Sequence, residues 1–236
     1  MTLAAVCALA DPVAAQTPCR QALALGLDVS GSVDAREYRL QLDGLATALG
    51  DAEVAAALLD PAGGTVDLAV FEWSDPTDQR LVIDWMSIRD AETLAEVQRR
   101  LRRTDRAEMG PSTGLGEALR YGLALLDQRP ACWTRTLDLS GDGRGNTGRR
   151  PQDIPDAGAP VTVNGLVIGP GTGDAPDGGM DPQTHELAAY YTAYVIRGPA
   201  AFVEVAQGFD DYATAMRRKL LRELQAMAIG QLVTTH

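Results

Sequence analysis

Ala22-Leu23-Ala24-Leu25-Gly26-Leu27-Asp28-Val29-Ser30-Gly31-Ser32 is the stretch on which the reading of the fold turns. Ala22 to Leu27 is a continuous apolar run of strand length. It lacks the alternation of a half-exposed strand, so it predicts a strand buried on both faces, as in parallel sheets covered by helices. The run stops at Asp28, and one carboxylate and two hydroxyls follow at alternate positions. As the chain turns, Asp28, Ser30 and Ser32 converge on one point, with Gly31 expected to let the backbone turn tightly. Hard oxygen donors with little net charge suit Mg²⁺, Mn²⁺ or Ca²⁺. A Ser-Gly-Ser turn after an aspartate is common; its place after a buried strand gives it weight.

The rest of the chain alternates helix and strand patterns. A helix is expected from Asp34 to Leu49, with Tyr38, Leu42, Leu45 and Leu49 at helical spacing. Val54 to Leu59 reads as a further short turn. Thr65 to Trp73 and Gln79 to Trp85 read as a strand pair around the turn at residues 74–78. Ala91 to Arg102 is an amphipathic helix, and the loop 110–114 opens another that runs to about Asp127, its inner face Leu115, Leu119, Leu123 and Leu126. Strands follow at Thr134 to Leu139, Val161 to Ile168 and near Ala201 to Val205. Helices are expected at Thr184 to Tyr191 and Asp210 to Met227. Residues 144–159 and 169–183 are loops rich in Gly, Pro and Asp. This order predicts a three-layer, doubly wound, Rossmann-like α/β fold. Its sheet is six-stranded and mainly parallel, with one antiparallel edge strand. Ligands of such sheets bind beyond the carboxyl ends of the strands, where the strand order reverses. The loops 28–33, 140–148 and 169–183 leave from that edge.

With Thr113 opening a later helix and Asp142-Gly143 following the next strand, the set Asp28, Ser30, Ser32, Thr113 and Asp142 resembles the metal-ion-dependent adhesion site of von Willebrand factor A domains. The resemblance runs in element order from about residue 20 onward. It implies that Ser30, Ser32 and Thr113 touch a divalent cation, Mg²⁺ or else Mn²⁺ or Ca²⁺, and that Asp28 and Asp142 bind it directly or through water. A site rich in neutral hydroxyls leaves the ion undercompensated, so the carboxylate of a partner completes it. The segments around Asp28, Ser140-Gly141-Asp142-Gly143 and Ala201-Phe202-Val203-Glu204-Val205-Ala206 are similar to an uncharacterised family of exported bacterial proteins of this type, which brings no established function.

Two further groups lie near the expected site. Arg144, Arg149 and Arg150 follow Asp142; they attract anions beside the ion or form a solvated loop. Asp174, Asp177 and Asp181 sit in the glycine-rich loop, either as a mobile acidic stretch or as a lid whose carboxylate enters the open metal position.

Residues 1–16 read as a truncated secretory signal, with an apolar run from Leu3 to Ala10 and small residues at Val13 to Ala15. Residues 17–236 then form the von Willebrand factor A-like domain. Cys19 lies nine residues before Asp28 and Cys132 ten before Asp142. If their strands are parallel neighbours, the cysteines start at one level and suit a disulfide across the lower edge; in a reducing compartment they are two buried thiols. The formal net charge of −11 argues against nucleic acid and anionic membranes as partners. No apolar run of roughly 20 residues is present to span a bilayer. A monomer in the periplasm or outside the cell fits these features.

The function expected is a non-enzymatic, cation-dependent module that grips a protein ligand by its carboxylate. A metal-assisted hydrolase is the first alternative, and it needs a base such as His185, since His236 is the only other histidine. An intracellular subunit of an ATP-driven complex is the second. Trp73, Trp85 and Trp133 read as core or edge packing, and Arg99, Arg100, Arg102 and Arg103 as the wet face of a helix.

Overall fold

The computed structural model describes residues 17–60, 63–156, 160–171 and 181–233. Among these residues six strands form one sheet: β1 (Cys19–Asp28), β2 (Thr65–Trp73), β3 (Gln79–Ile88), β4 (Thr134–Gly141), β5 (Thr162–Ile168) and β6 (Val203–Ala206). Their order across the sheet is β3-β2-β1-β4-β5-β6, parallel throughout except for the antiparallel edge strand β3. This is the doubly wound architecture expected. The strand order reverses between β1 and β4, since the chain leaves β1 to build one half of the sheet and returns at β4 to build the other.

The helices are α1 (Ala35–Leu49), α2 (Ala52–Leu58), α3 (Ala91–Arg103), α4 (Leu115–Leu126), α5 (Pro182–Tyr194) and α6 (Tyr212–Val233). Asp34 and Glu37 form a reciprocal capping box that starts α1. The apolar stripes of α1, α3 and α4 are buried as their spacing demands. Residues 52–58, expected as no more than a turn, make a two-turn helix capped by Asp51.

The alternation of side chains along β1 splits the core. Leu23, Leu25 and Leu27 face the layer of α1, α3 and α6. Ala22 and Ala24 face the α4 side together with Phe71, Leu119 and Leu139. Small residues are needed on that face: a Cβ on Gly26 would lie 2.5 Å from the Phe71 ring.

The register of the two central strands is the decisive feature. Gln21 pairs with Thr134 and Leu27 with Ser140, an offset of 113 residues. Cys19 and Cys132 are separated by the same 113 residues, their Cα atoms are 4.6 Å apart, and they form a disulfide. The bond therefore prolongs the ladder downward. Trp133, beside it, is 57% exposed rather than packed in the core or against an edge. Its neighbour Cys132 turns inward to the disulfide and leaves the indole outside.

A crosslink closing so long a loop is expected to contribute about 2–5 kcal/mol, chiefly by restricting the unfolded chain. Denaturant unfolding of wild type against the Cys19→Ser/Cys132→Ser double variant measures this. Superimposable curves would show that the bond adds nothing.

Candidate metal centre

Asp28 ends β1 and is fully buried. Its Oδ1 accepts the Ser30 amide at 2.8 Å. Its Oδ2 is buried without a hydrogen-bond partner among the described residues. Gln41 of α1 donates to the Asp28 carbonyl at 3.0 Å and so ties the end of the strand to the helix that follows it. The loop itself is gathered by Arg106, whose guanidinium donates to the carbonyls of Val33 at 2.6 Å, Val29 at 3.1 Å and Ser30 at 3.3 Å. The Gly31 amide donates to the Pro111 carbonyl at 2.9 Å. A Cβ on Gly31 would sit 3.0 Å from that same oxygen, and Gly31 is not among the residues with positive φ. Its requirement is the close approach of the neighbouring loop, not the backbone freedom expected from the sequence.

Thr113 arrives from that neighbouring loop. Asp75 and Asp78, in the β2–β3 turn, hold the loop in place. Asp78 Oδ2 accepts the Gly110 amide at 2.7 Å, and Asp75 Oδ1 accepts the Ser112 amide at 2.8 Å and also contacts its hydroxyl. Asn146, just beyond β4, locks Thr113 from the other side: its Oδ1 accepts the Thr113 amide at 2.9 Å and its Nδ2 donates to Thr113 Oγ1 at 3.4 Å.

The side chains then meet. Thr113 Oγ1 lies 3.5 Å from Ser30 Oγ, Ser30 Oγ lies 3.3 Å from Ser32 Oγ, and Ser32 Oγ donates to Asp142 Oδ1 at 2.8 Å. Gly141 stands at the centre. The β1–β4 register carries Asp28 to its level, and a Cβ there would be 2.9 Å from Asp28 Oδ2 and 2.6 Å from the Tyr191 hydroxyl. That hydroxyl is also buried without a hydrogen-bond partner among the described residues.

Electrostatically the site is anionic, with Asp28 fully buried and Asp142 partly exposed. Burial, then the charge of Asp142, push the Asp28 carboxyl up from 3.8 to about 7, against the Ser30 amide, which favours the anion. Burial also raises Asp142, although Ser32 donates to it. The Tyr191 phenol rises well above its ordinary value through burial, then through the charges of Asp28 and Asp142. Arg106 is spent on backbone carbonyls. The two carboxylates thus lack a compensating positive charge from the side chains that hydrogen-bond them.

A pocket of about 310 Å³ opens beside Asp142, lined among others by Glu37, Arg144, Ile168, Glu186 and Phe209. Arg144 sits on its rim, paired with Glu186 at 3.2 Å and lying 5.6 Å from the Tyr190 ring centre. Arg149 and Arg150 turn elsewhere, to Glu117 and Asp153. Asp181 caps α5, accepting from the Gln183 and Thr184 amides and contacting the Thr184 hydroxyl. Its carboxylate is engaged by its own helix instead of reaching toward Asp142. Asp174, Asp177, His236 and residues 1–16 lie outside the described residues. His185 is exposed on α5. Trp73 is fully buried, Trp85 packs against the core under the Arg129 guanidinium, and Arg99 and Arg100 pair with Glu96 on the wet face of α3.

Arg106, Asn146, Tyr191 and the Asp75/Asp78 pair were not foreseen as parts of the site. The Ser74–Asp78 turn carried a signal only for a turn, and no local pattern marks the others. A second grouping of candidate ligands, Cys19, Asp67 and Cys132, lies at the far end of the sheet. Its sulfurs are bonded to each other, which leaves no thiolate for an ion, and Asp67 is held by Ser87 and Arg129.

A family model described as a protein of unknown function, DUF1194, matches residues 18–228. No curated protein matches the sequence. Among solved structures, the chain is similar to a von Willebrand factor type A protein from Catenulispora acidiphila, at 16% identity and a TM-score of 0.58, over 87% of this chain and 43% of that one. It is similar to proximal thread matrix protein 1 of the mussel byssus, in a form with a zinc-occupied MIDAS motif, at 14% identity and a TM-score of 0.55, over 89% of this chain and 47% of that one. It is also similar to the pilus adhesin SpaC of Lactobacillus rhamnosus GG in its open conformation, at 13% identity and a TM-score of 0.55, over 90% and 31%. The chain therefore spans less than half the length of these structures. At such identities the likeness establishes the fold, which is that of a von Willebrand factor A domain.

The raised carboxyl of Asp28 has a pH signature. An acid whose pKa is higher folded than unfolded binds its proton more tightly in the folded chain, so stability falls as pH rises from the unfolded value through about 7. With chelator present, wild type is expected to lose up to roughly 4 kcal/mol over that window. Asp28→Asn should show a shallower slope. Urea midpoints recorded across the window in both proteins check this, and parallel slopes would exclude Asp28 as the source.

Proposed function

Since the chain belongs to the DUF1194 family and has the von Willebrand factor A fold, we propose that it is a non-enzymatic protein-binding module whose grip depends on a divalent cation. Asp28, Ser30, Ser32, Thr113 and Asp142 would hold the ion. One observation carries this reading: oxygen donors from three separate loops converge at the strand-order reversal, around the fully buried Asp28 and the partly buried Asp142, which have no compensating cation among their hydrogen-bond partners. Desolvated like charges are costly unless a cation joins them. All-oxygen donors favour Mg²⁺, with Mn²⁺ or Ca²⁺ as substitutes.

The bound ion would supply a Lewis-acidic position for a carboxylate of a protein ligand. The chain's own residues build the seat. Arg106 and Gln41 fix the backbone of the first loop, Asn146 fixes Thr113, and Gly31 lets the two loops touch. Arg144, beside Asp142 on the pocket rim, would steer an acidic ligand toward it. Hydrolysis is less favoured as a reading. The three hydroxyls are engaged with one another and with Asp142, and His185 does not line the pocket. The Cys19–Cys132 disulfide supports action in the periplasm or outside the cell. Among the described residues no helix is long and apolar enough to cross a membrane.

The test is thermal unfolding with Mg²⁺ or Mn²⁺ and with chelator. At about a hundredfold excess over Kd the ion should stabilise wild type by roughly 3 kcal/mol, and Asp28→Ala should not respond. Identical curves in all four conditions would remove the metal site. A pull-down from periplasmic or extracellular extract, wild type against Thr113→Ala, then tests the ligand function. Equal capture of the same protein by both would separate binding from the ion.

A further inference from the structure

A second polar cluster lies on the other face of the sheet. Lys219 of α6 is 0% exposed, Asp138 of β4 is 2% exposed and Glu223 of α6 is 5% exposed. Lys219 Nζ contacts Asp138 Oδ1 and lies 2.6 Å from Glu223 Oε1. Asn164 of β5 donates to that same Glu223 oxygen at 2.5 Å, and its Oδ1 accepts the Phe202 amide at 3.1 Å, which anchors it. The Phe202 ring covers the amine, with its centre 4.9 Å from Nζ. Asp138 Oδ2 and Glu223 Oε2 are buried with no hydrogen-bond partner among the described residues. We propose that Lys219 and Asp138 are joined by an intramolecular amide, formed by the protein itself with Glu223 as proton carrier.

The argument begins with charge. One ammonium between two carboxylates leaves a net negative charge in a dry interior, which is costly. Taking up one proton makes the cluster neutral. Burial and the neighbouring Glu223 raise the Asp138 carboxyl well above its ordinary value, in the same direction. The neutral cluster, written as ammonium, carboxylate and carboxylic acid, holds the same protons as amine and two carboxylic acids. The reactive form is therefore a proton shift away and needs nothing from solvent.

In that form the Lys219 amine attacks Asp138 Cγ. The C–N bond forms, and Glu223 passes its proton to the departing hydroxyl and takes one from the nitrogen. The C–O bond breaks, one water leaves, and Glu223 ends as it began. No oxidant or activated donor is required. Fixed contact between the reacting groups replaces a bimolecular encounter, and general acid–base transfer by Glu223 serves both proton movements. Expulsion of water from a closed apolar site favours the amide over its hydrolysis. The product ties β4, already joined near its start to β1 by the disulfide, to the closing helix.

The experiment is mass spectrometry of the whole folded chain after reduction and tryptic digestion. The expected result is one branched peptide containing both Lys219 and Asp138, one water lighter than its parts, uncleaved after Lys219. Glu223→Gln, close in size to the native residue, should fold with the same disulfide and yield the two peptides separately. Separate peptides from wild type overturn the proposal and leave an ion pair. So does a missing water found at Asp142-Gly143, the product of cyclisation there. A branched peptide from Glu223→Gln removes Glu223 as proton carrier.

Discussion

One register governs this molecule. Pairing β1 with β4 at an offset of 113 residues places Cys19 against Cys132 at one end and Asp28 against Gly141 at the other. A slip of one residue would turn every β1 side chain to the opposite face. Leu23, Leu25 and Leu27 would then crowd the α4 side, where Ala22, Ala24 and Gly26 now make room for the Phe71 ring. Asp28 would leave the level of Asp142. The packing of small residues on one face and leucines on the other therefore sets the geometry of the polar site, and the disulfide locks the choice covalently.

On that base the site stores an unfavourable arrangement. Asp28 is buried deeply enough to hold its proton to about 7, and Asp142 adds to its burden. Hydrogen bonding relieves only part of this: the Ser30 amide serves one oxygen of Asp28 and Ser32 one of Asp142. The nearby guanidinium of Arg106 would be the natural counter-charge, yet it faces three backbone carbonyls. An arginine aimed at the carboxylates would have neutralised them and removed any reason for a cation to enter. Here the positive charge shapes the loop, and the negative charge of the site is left without it.

The central strand β1 was legible in the sequence because Ala22 to Leu27 is apolar without interruption, and β2, apolar but for Asp67 and Glu72, has the bounds its pattern predicts. The converging Asp28, Ser30 and Ser32 were legible because their spacing is local and directly follows such a strand. Thr113 and Asp142 needed the resemblance, since nothing in their own neighbourhoods says which loop they will face. Arg106, Asn146 and Tyr191 were not legible. Arg106 follows a helix already rich in arginine, and its partners lie more than seventy residues away. Tyr191 reads as one more apolar position of α5; only Gly141 and Gly165, which clear the sheet surface for its ring, give it its place. Lys219, Asp138 and Glu223 were missed for a related reason. A charge in a strand or helix pattern reads as solvated until a partner on another element is known to cover it.

The two polar clusters lie on opposite faces of the sheet, yet they are not independent. The Asp28 backbone carbonyl accepts from Gln41 Nε2; Gln41 Oε1 accepts from Ser140 Oγ at 3.4 Å; Ser140 Oγ lies 3.5 Å from the Tyr212 hydroxyl at the start of α6. Ser140 and Asp138 point to the same face of β4, two residues apart. The helix that carries Lys219 is thus in contact, through three side chains, with the last residue of β1. The small, hard cation proposed for this site would need oxygens held to within fractions of an ångström, because such ions tolerate little distortion. Loops alone hold side chains less closely than strands and helices do. The buried polar chain beneath β1 and β4 supplies the missing stiffness, since each member is fixed by a neighbour on a different element and a shift at one end costs hydrogen bonds at the other.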